Sequence, residues 1–329
     1  MPGGFRVPDD EDETDEAADS VPRGATPIVL GAGLGIDDFD AVAALGGLCD
    51  RLGMDVISAG NAVAWAVRAG DEGVIDRDVD FGDEEAARSV ISEITARETP
   101  LGDALADGVA AAAERFGGTD LIPTAKRMAL SSYDPRGAMS MALAYATSDR
   151  GGCHRRARPV EVDATAARRR DPEEVAAAVA AEQDRRAALW CLIADDFLDG
   201  VLDPSVAAEW LRARGYDHDA ASLSALGERV WTLVRLYNLR EGFGRDDDAL
   251  PAAIAGASGG EDASDSAADE PTDRPPGVDP EAFENLLDRY YAAREWDAAG
   301  RPTDDLLERL GLTGLAADPI SPNERADPG

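Results

Sequence analysis

From residue 37 onward the apolar residues of this 329-residue chain recur three and four positions apart, and alternating β-branched runs are few. Three-and-four spacing places a stripe along one side of a helix, whereas a half-buried strand needs a period of two. The chain is therefore expected to be mainly α. Phe39, Val42, Cys49 and Leu52 share such a stripe behind Asp37, which can cap the helix. A second candidate covers residues 60–69. A third runs over 84–97 through Ala87, Val90, Ile91 and Ile94, and Pro100 opens an alanine-rich helix reaching Phe116. Further helices are expected over 172–199, 203–213, 223–240, 280–296 and 304–310, with an apolar, buried one within 137–146.

Two stretches lack the apolar content to pack. Residues 1–24 are acidic with interspersed Pro and Gly and read as a disordered tail, and residues 253–278 are polar and breaker-rich and read as a flexible loop. The remainder is expected to divide into helical domains over 25–124 and 125–329. With 66 Asp plus Glu against 32 Lys plus Arg, the formal charge is -34. Such an excess, spread through every segment, points to a halophilic chain whose self-repulsion is screened by concentrated salt. It also makes nucleic acid a poor partner, since a phosphate backbone needs a positive footprint. The N-terminus carries no basic and apolar signal regions, and no later run is long and apolar enough to span a bilayer. Cys49, Cys153 and Cys191 are odd in number and widely spaced, which argues against a disulfide framework. A cytoplasmic location without membrane contact is expected.

Against this acidity, residues 126–158 hold seven of the lysines and arginines, one of the two histidines and two acids. Concentrated positive charge of this kind reads as a site for an anionic ligand. His154 follows Gly151, Gly152 and Cys153 and precedes Arg155 and Arg156. A lone histidine is commonly structural, but here its arginine neighbours would favour the neutral imidazole beside a bound anion. Upstream, Asp50 and Asp55 bracket Gly53 in the string DRLGMD. Two caps and a terminating glycine explain these residues one by one, and an aspartate between Met54 and Val56 would equally accept N–H donors from a ligand. The glycines of PIVLGAGLG at 31, 33 and 35 resemble a dinucleotide turn, but Asp37 and Asp38 place two carboxylates where a pyrophosphate would sit. That motif reads as a turn before a capped helix.

Four strings, in order, carry a wider resemblance: LGAGLGIDDFDAVAALGGLCDRLGMDVISAGNAVAWA, YDPRGAMSMALAYATSDRGGCHRRA, GERVWTLVRLYNLREGFGRDDDALP and LLDRYYAAREWDAAGRPTDDLLERLGL. From about residue 27 to 316 the chain resembles the helical domains 2 and 3 of the tungsten- or molybdenum-dependent aldehyde ferredoxin oxidoreductases. The resemblance implies a mainly α chain lacking the family's N-terminal β platform domain. It implies oxidation of an aldehyde to a carboxylic acid, with a tungsto- or molybdo-bispterin beside a [4Fe-4S] cluster and ferredoxin as electron acceptor. In the family's first D-x-x-G-L-D motif, here Asp50 to Asp55, the closing acid hydrogen-bonds a pterin. His154 matches the active-site histidine, and Arg156 falls where a basic residue contacts the cofactor.

The resemblance also implies departures. The family's cluster uses three early cysteines, expected to precede this chain, and a fourth whose position here is Asp195, while Trp190 replaces the aspartate that opens that second motif. Cys191 lies four residues away, about one helical turn from the required point. Four thiolate ligands are the norm for such a cube, so the cysteines present do not meet the requirement alone. The family's catalytic glutamate falls on Ala25. Two roles follow: the helical part of a split enzyme whose separate N-terminal subunit supplies the platform, or a degenerate non-catalytic binding or assembly subunit. In neither is the isolated chain expected to turn over.

Overall fold

The computed structural model describes residues 24–160, 171–194, 198, 202–256 and 277–315. The tail, most of the 253–278 loop and Asp195 lie outside the described residues. The two ends of that loop are ordered, contrary to expectation: Gly256 N–H donates to Val278 O at 2.7 Å and Val278 N–H to Ile254 O at 2.9 Å. Ile254 and Val278 are buried, so their side chains anchor what composition alone assigned to a loop.

The chain is mainly α, as expected, and its described strands are the two-residue β1 (Thr124–Ala125) and β2 (Met128–Ala129). The described residues up to 123, with Arg127–Ser132, form one compact unit; Thr124–Lys126 and the described residues from 133 form a second.

The first unit begins with a π-helical turn, Pro27–Ala32, within the glycine-rich string read as a turn before a capped helix. Next come α1 (Phe39–Arg51), α2 (Val56–Asp71), α3 (Glu84–Ala96), α4 (Pro100–Ala106) and α5 (Val109–Phe116). The cap of α1 is Asp38 rather than Asp37: its carboxylate accepts from the N–H groups of Asp40 and Ala41. Helix α2 starts four residues before the expected boundary, because Asp55 itself is the cap. The expected single helix over 100–116 is two, broken where Gly108 adopts φ +103°. The core gathers Leu30, Leu45, Trp65 and Ile91, and the Trp65 indole N–H is satisfied by Gly118 O at 3.2 Å. Gly60 permits α2 to lie against the π turn, since a Cβ there would stand 2.8 Å from Val29 O.

In the second unit α6 (Met139–Ala146) is buried from Ser140 to Ala146, as its apolar string predicts. It is followed by α7 (Pro172–Cys191), α8 (Pro204–Ala213), α9 (Ala220–Arg240), α10 (Pro280–Ala293) and α11 (Asp304–Leu310). Helix α7 stops at Cys191, well short of residue 199, and Ile193 lies exposed at φ +58°. Helix α10 likewise ends before Trp296, whose ring instead folds back to 5.8 Å from Tyr290.

Two polar networks tie these helices together. Tyr290 Oη donates to Gln183 Oε1 (2.7 Å) and accepts from Trp231 Nε1 (3.1 Å) and Arg294 Nε (3.2 Å). Arg294 also reaches Ala180 O at 3.0 Å and pairs with Asp184 at 2.5 Å. In the second network Asp248 pairs with Lys126 Nζ at 2.7 Å and Arg235 Nη1 at 2.9 Å and accepts from Tyr291 Oη at 2.5 Å. Polar groups this deep are tolerable because each side chain meets an ion-pair or hydrogen-bond partner, although Asp248 Oδ1 and Arg235 Nη2 make no hydrogen bond among the described residues. Among the described residues no helix is long and apolar enough to cross a membrane.

Candidate functional site

The Asp50–Asp55 string is a helix–turn–helix joint in the first unit. Gly53 takes φ +65° after α1, and Met54 N–H closes back on Cys49 O at 2.8 Å, the usual way a glycine ends a helix. Asp55 then caps α2: its Oδ2 accepts from Ser58 N at 2.9 Å and Ser58 Oγ at 2.8 Å. Asp50 and Asp55 are both exposed. The capping reading of these residues is thus what the geometry shows. It engages one carboxylate oxygen of Asp55, and Oδ1 accepts no hydrogen bond among the described residues. Behind the joint, burial together with Asp50 and Asp55 pushes the Cys49 thiol up to about 11, so it is a protonated core group.

The basic segment lies mostly in the second unit, and the charge of four of its seven basic residues is answered inside the chain. Lys126 pairs with Asp248, Arg127 with Glu114, Arg136 with Asp134 and Arg156 with Asp149. Spacing could not reveal this, because the acids for Lys126 and Arg127 are remote in sequence. His154 is half-buried, its ring 5.0 Å from that of Tyr133 and tilted by 57°. Gly151 at φ +108° turns the chain immediately before it, which lets Cys153 N–H reach Gly151 O at 2.6 Å and sets Cys153 into the core.

Arg156 opens onto a cavity of about 250 Å³ walled by α7 and α9. Its lining comprises Asp149, Arg156, Arg186, Trp190, Cys191 and Trp231, with Ala187, Val230 and Val234. The guanidinium lies 4.1 Å from the centroid of the Trp190 ring, a cation–π contact, and its Nε stands 3.1 Å from Asp149 Oδ1. Burial raises the Asp149 carboxyl above its ordinary range, against the pull of Arg156 and Arg150. Asn238 holds the Asp149 carbonyl at 2.7 Å from α9. Asp149, Arg186 and Trp231 were not singled out from the sequence. The available signal was the placement of Arg186 and Gln183 at inward positions of an otherwise apolar helix face.

The family model of aldehyde ferredoxin oxidoreductase, domains 2 and 3, matches residues 4–312. This chain belongs to the aldehyde ferredoxin oxidoreductase family. Tungsten-containing aldehyde ferredoxin oxidoreductases are similar to it: that of Pyrococcus furiosus is 31% identical over 86% of this chain and 47% of its own length. The Thermococcus kodakarensis enzyme is 29% identical over the same shares. The chain thus spans about half the length of the curated relatives it matches. A chain of the solved active site complex BamBC of benzoyl coenzyme A reductase, in complex with 1,5-dienoyl-CoA, shares the fold, with a TM-score of 0.69 at 20% identity. That likeness covers 88% of this family member and 48% of the solved chain.

The cysteines of this family member do not fit an iron–sulfur cube. Cys49 and Cys153 are buried and Cys191 is exposed, and burial also raises the Cys191 thiol, which disfavours the thiolate that iron requires. Among the described residues no group of three His, Cys, Asp or Glu side chains is placed to hold a metal ion. Within the first unit a pterin fits the donor set better, since the open Asp55 Oδ1 suits ring N–H donors.

Proposed function

We propose that this chain is the helical part of a split aldehyde-oxidising oxidoreductase, completed by a separate subunit that carries the β platform. The observation that carries the reading is the family match, which extends through both helical units. In this reading Asp55, on the first unit, accepts pterin ring N–H groups at Oδ1, and Arg156, on the second unit, is the basic residue assigned to a cofactor contact. Asp50 closes α1 at the start of the same joint and keeps Asp55 in register. A tungsto- or molybdo-bispterin, when bound, would supply the two-electron chemistry that converts aldehyde to carboxylic acid.

His154 is the residue of this chain proposed to act on substrate. A half-buried imidazole can donate to, or accept from, the substrate oxygen, which orients the carbonyl and moves a proton at that atom. The chain's cysteines furnish no cluster, so electron export toward ferredoxin falls to the other subunit; whether Asp195 serves as an unusual ligand lies outside the described residues. In the active complex, His154→Ala should abolish turnover while leaving tungsten or molybdenum content nearly intact. Unchanged turnover would remove His154 from the mechanism. The alternative of a non-catalytic assembly subunit draws support from Ala25 at the glutamate position and from Trp190, which covers Arg156 where the family places an acid. A cytoplasmic location and halophily belong to the same proposal.

A further inference from the structure

Helix α7 ends in the left-handed closure that ordinarily takes glycine. Ile193 N–H donates to Trp190 O and Ala194 N–H to Leu189 O, each at 3.0 Å, with Ile193 at φ +58°. A β-branched side chain is costly in that conformation. It is also without packing in return, because Ile193 is 96% exposed. A strained residue that holds its apolar side chain out in water points to a surface that another molecule covers. The surroundings extend that surface. Trp190 and Cys191 wall the cavity of about 250 Å³ together with Val230 and Val234 of α9. Leu233 and Tyr237 follow on the same side of α9 at helical spacing and are 43% and 54% exposed. Over residues 220–240 three arginines stand against one acid, in a chain whose formal charge is -34, and Arg240 lies 4.9 Å from the Tyr237 ring centroid. The face is therefore apolar, indented and locally basic.

We propose that this face docks the separate platform-bearing subunit, with Ile193 inserted into an apolar pocket of that subunit and one of its apolar side chains seated in the cavity. The proposal rests on the split-enzyme reading and names where the two parts join. Two observations favour this occupant. The chain matches 47% of the length of the Pyrococcus furiosus relative, which therefore holds a comparable length of protein without counterpart here. The local charge argues against a second copy, which would set arginines against arginines, and for a different, acidic chain. A subunit sharing the salt adaptation proposed for this chain would be acidic. Burial of Ile193 on docking also offsets the strain that the free chain carries at that residue.

The experiment purifies the tagged full chain from its native host in concentrated KCl and identifies co-purifying chains by mass spectrometry. The expected partner matches the half of the Pyrococcus furiosus relative that this chain leaves uncovered. Cys191 is exposed and lines the cavity, whereas Cys49 and Cys153 are buried, so N-ethylmaleimide alkylation reports on this face. In the complex Cys191 should react about tenfold more slowly than in the free chain. Ile193→Gly and Ile193→Asp should each weaken retention of the partner by about tenfold or more, the loss expected of one buried apolar anchor. Glycine adopts the left-handed conformation freely, so the isolated Ile193→Gly chain should melt at or above the parent's temperature, which separates lost docking from lost folding. A partner retained equally by both variants, or Cys191 equally reactive in the complex, would overturn the docking face and leave the split enzyme standing. A parent that holds no such partner would overturn both. Protection of Cys191 in an assembly of this chain alone would give the face to a second copy and overturn the proposal.

Discussion

Asp248→Asn is the sharpest test of how the second unit is held together. The Asp248 side chain is fully buried and is the counter-ion of Lys126 and Arg235, whose side chains are 4% and 5% exposed. Asparagine preserves the shape and can still accept from Tyr291, so the substitution removes charge and little else. Two buried cations would then face each other without an anion. Burial already lowers the Lys126 ammonium pKa against the attraction of Asp248, and losing that attraction drives it further toward the neutral amine. Breaking a buried ion pair by removing one partner typically costs about 3–5 kcal/mol, and the second cation puts this site at the upper end. Urea unfolding followed by far-ultraviolet circular dichroism, in concentrated KCl, measures the loss. Added salt should not restore it, because ions screen buried pairs poorly. Adding Lys126→Met should recover part of the loss by removing one orphaned charge, while Arg235 keeps the recovery incomplete. A loss below about 1 kcal/mol, the range of exposed pairs, or a double variant no more stable than Asp248→Asn, would refute the reasoning.

Other expectations follow from named contacts. Gly227→Ala should destabilise by about 1–3 kcal/mol or more through overpacking, because a Cβ on α9 would sit 1.9 Å from Asp184 O on α7; a thermal melt near that of the parent would contradict the close approach. Glu228 is held below its usual range by its hydrogen bond from Arg309. Its contribution is therefore present above the ordinary value of 4.5 and is lost as pH falls through the lowered folded value. Glu228→Gln should thus be less stable than the parent near neutrality and converge with it in acid. The difference should be small, about 1 kcal/mol at most, since the pair is partly exposed and salt-screened; an unchanged acid limb of the stability–pH curve would disprove the linkage. Removing KCl should lower the melting temperature through self-repulsion of the formal charge of -34, and a salt-independent melt would exclude the proposed adaptation.

What the sequence revealed was governed by how local the cause is. Helices α3, α8 and α11 follow directly from periodicity and an adjacent Asp or Thr cap. Errors fell at boundaries where neighbouring residues compete for one role: Asp37 against Asp38, Asp55 against a helix start at Gly60, and Gly108 inside an alanine-rich run that read as continuous. The Asp50–Asp55 joint was legible because its glycine and cap lie within six residues. The cavity at Arg156 was not, since its walls come from helices far apart in the chain. Nor could charge spacing show that Lys126 would be buried against Asp248, a partner more than a hundred positions away.

The most direct test of the split-enzyme account is metal analysis of the chain purified from its native host in high salt, with tungsten, molybdenum and iron quantified in the same fraction as any co-purifying chains. The account predicts stoichiometric tungsten or molybdenum, together with iron, in a fraction that holds this chain and a second subunit. A single chain free of tungsten, molybdenum and iron would contradict it.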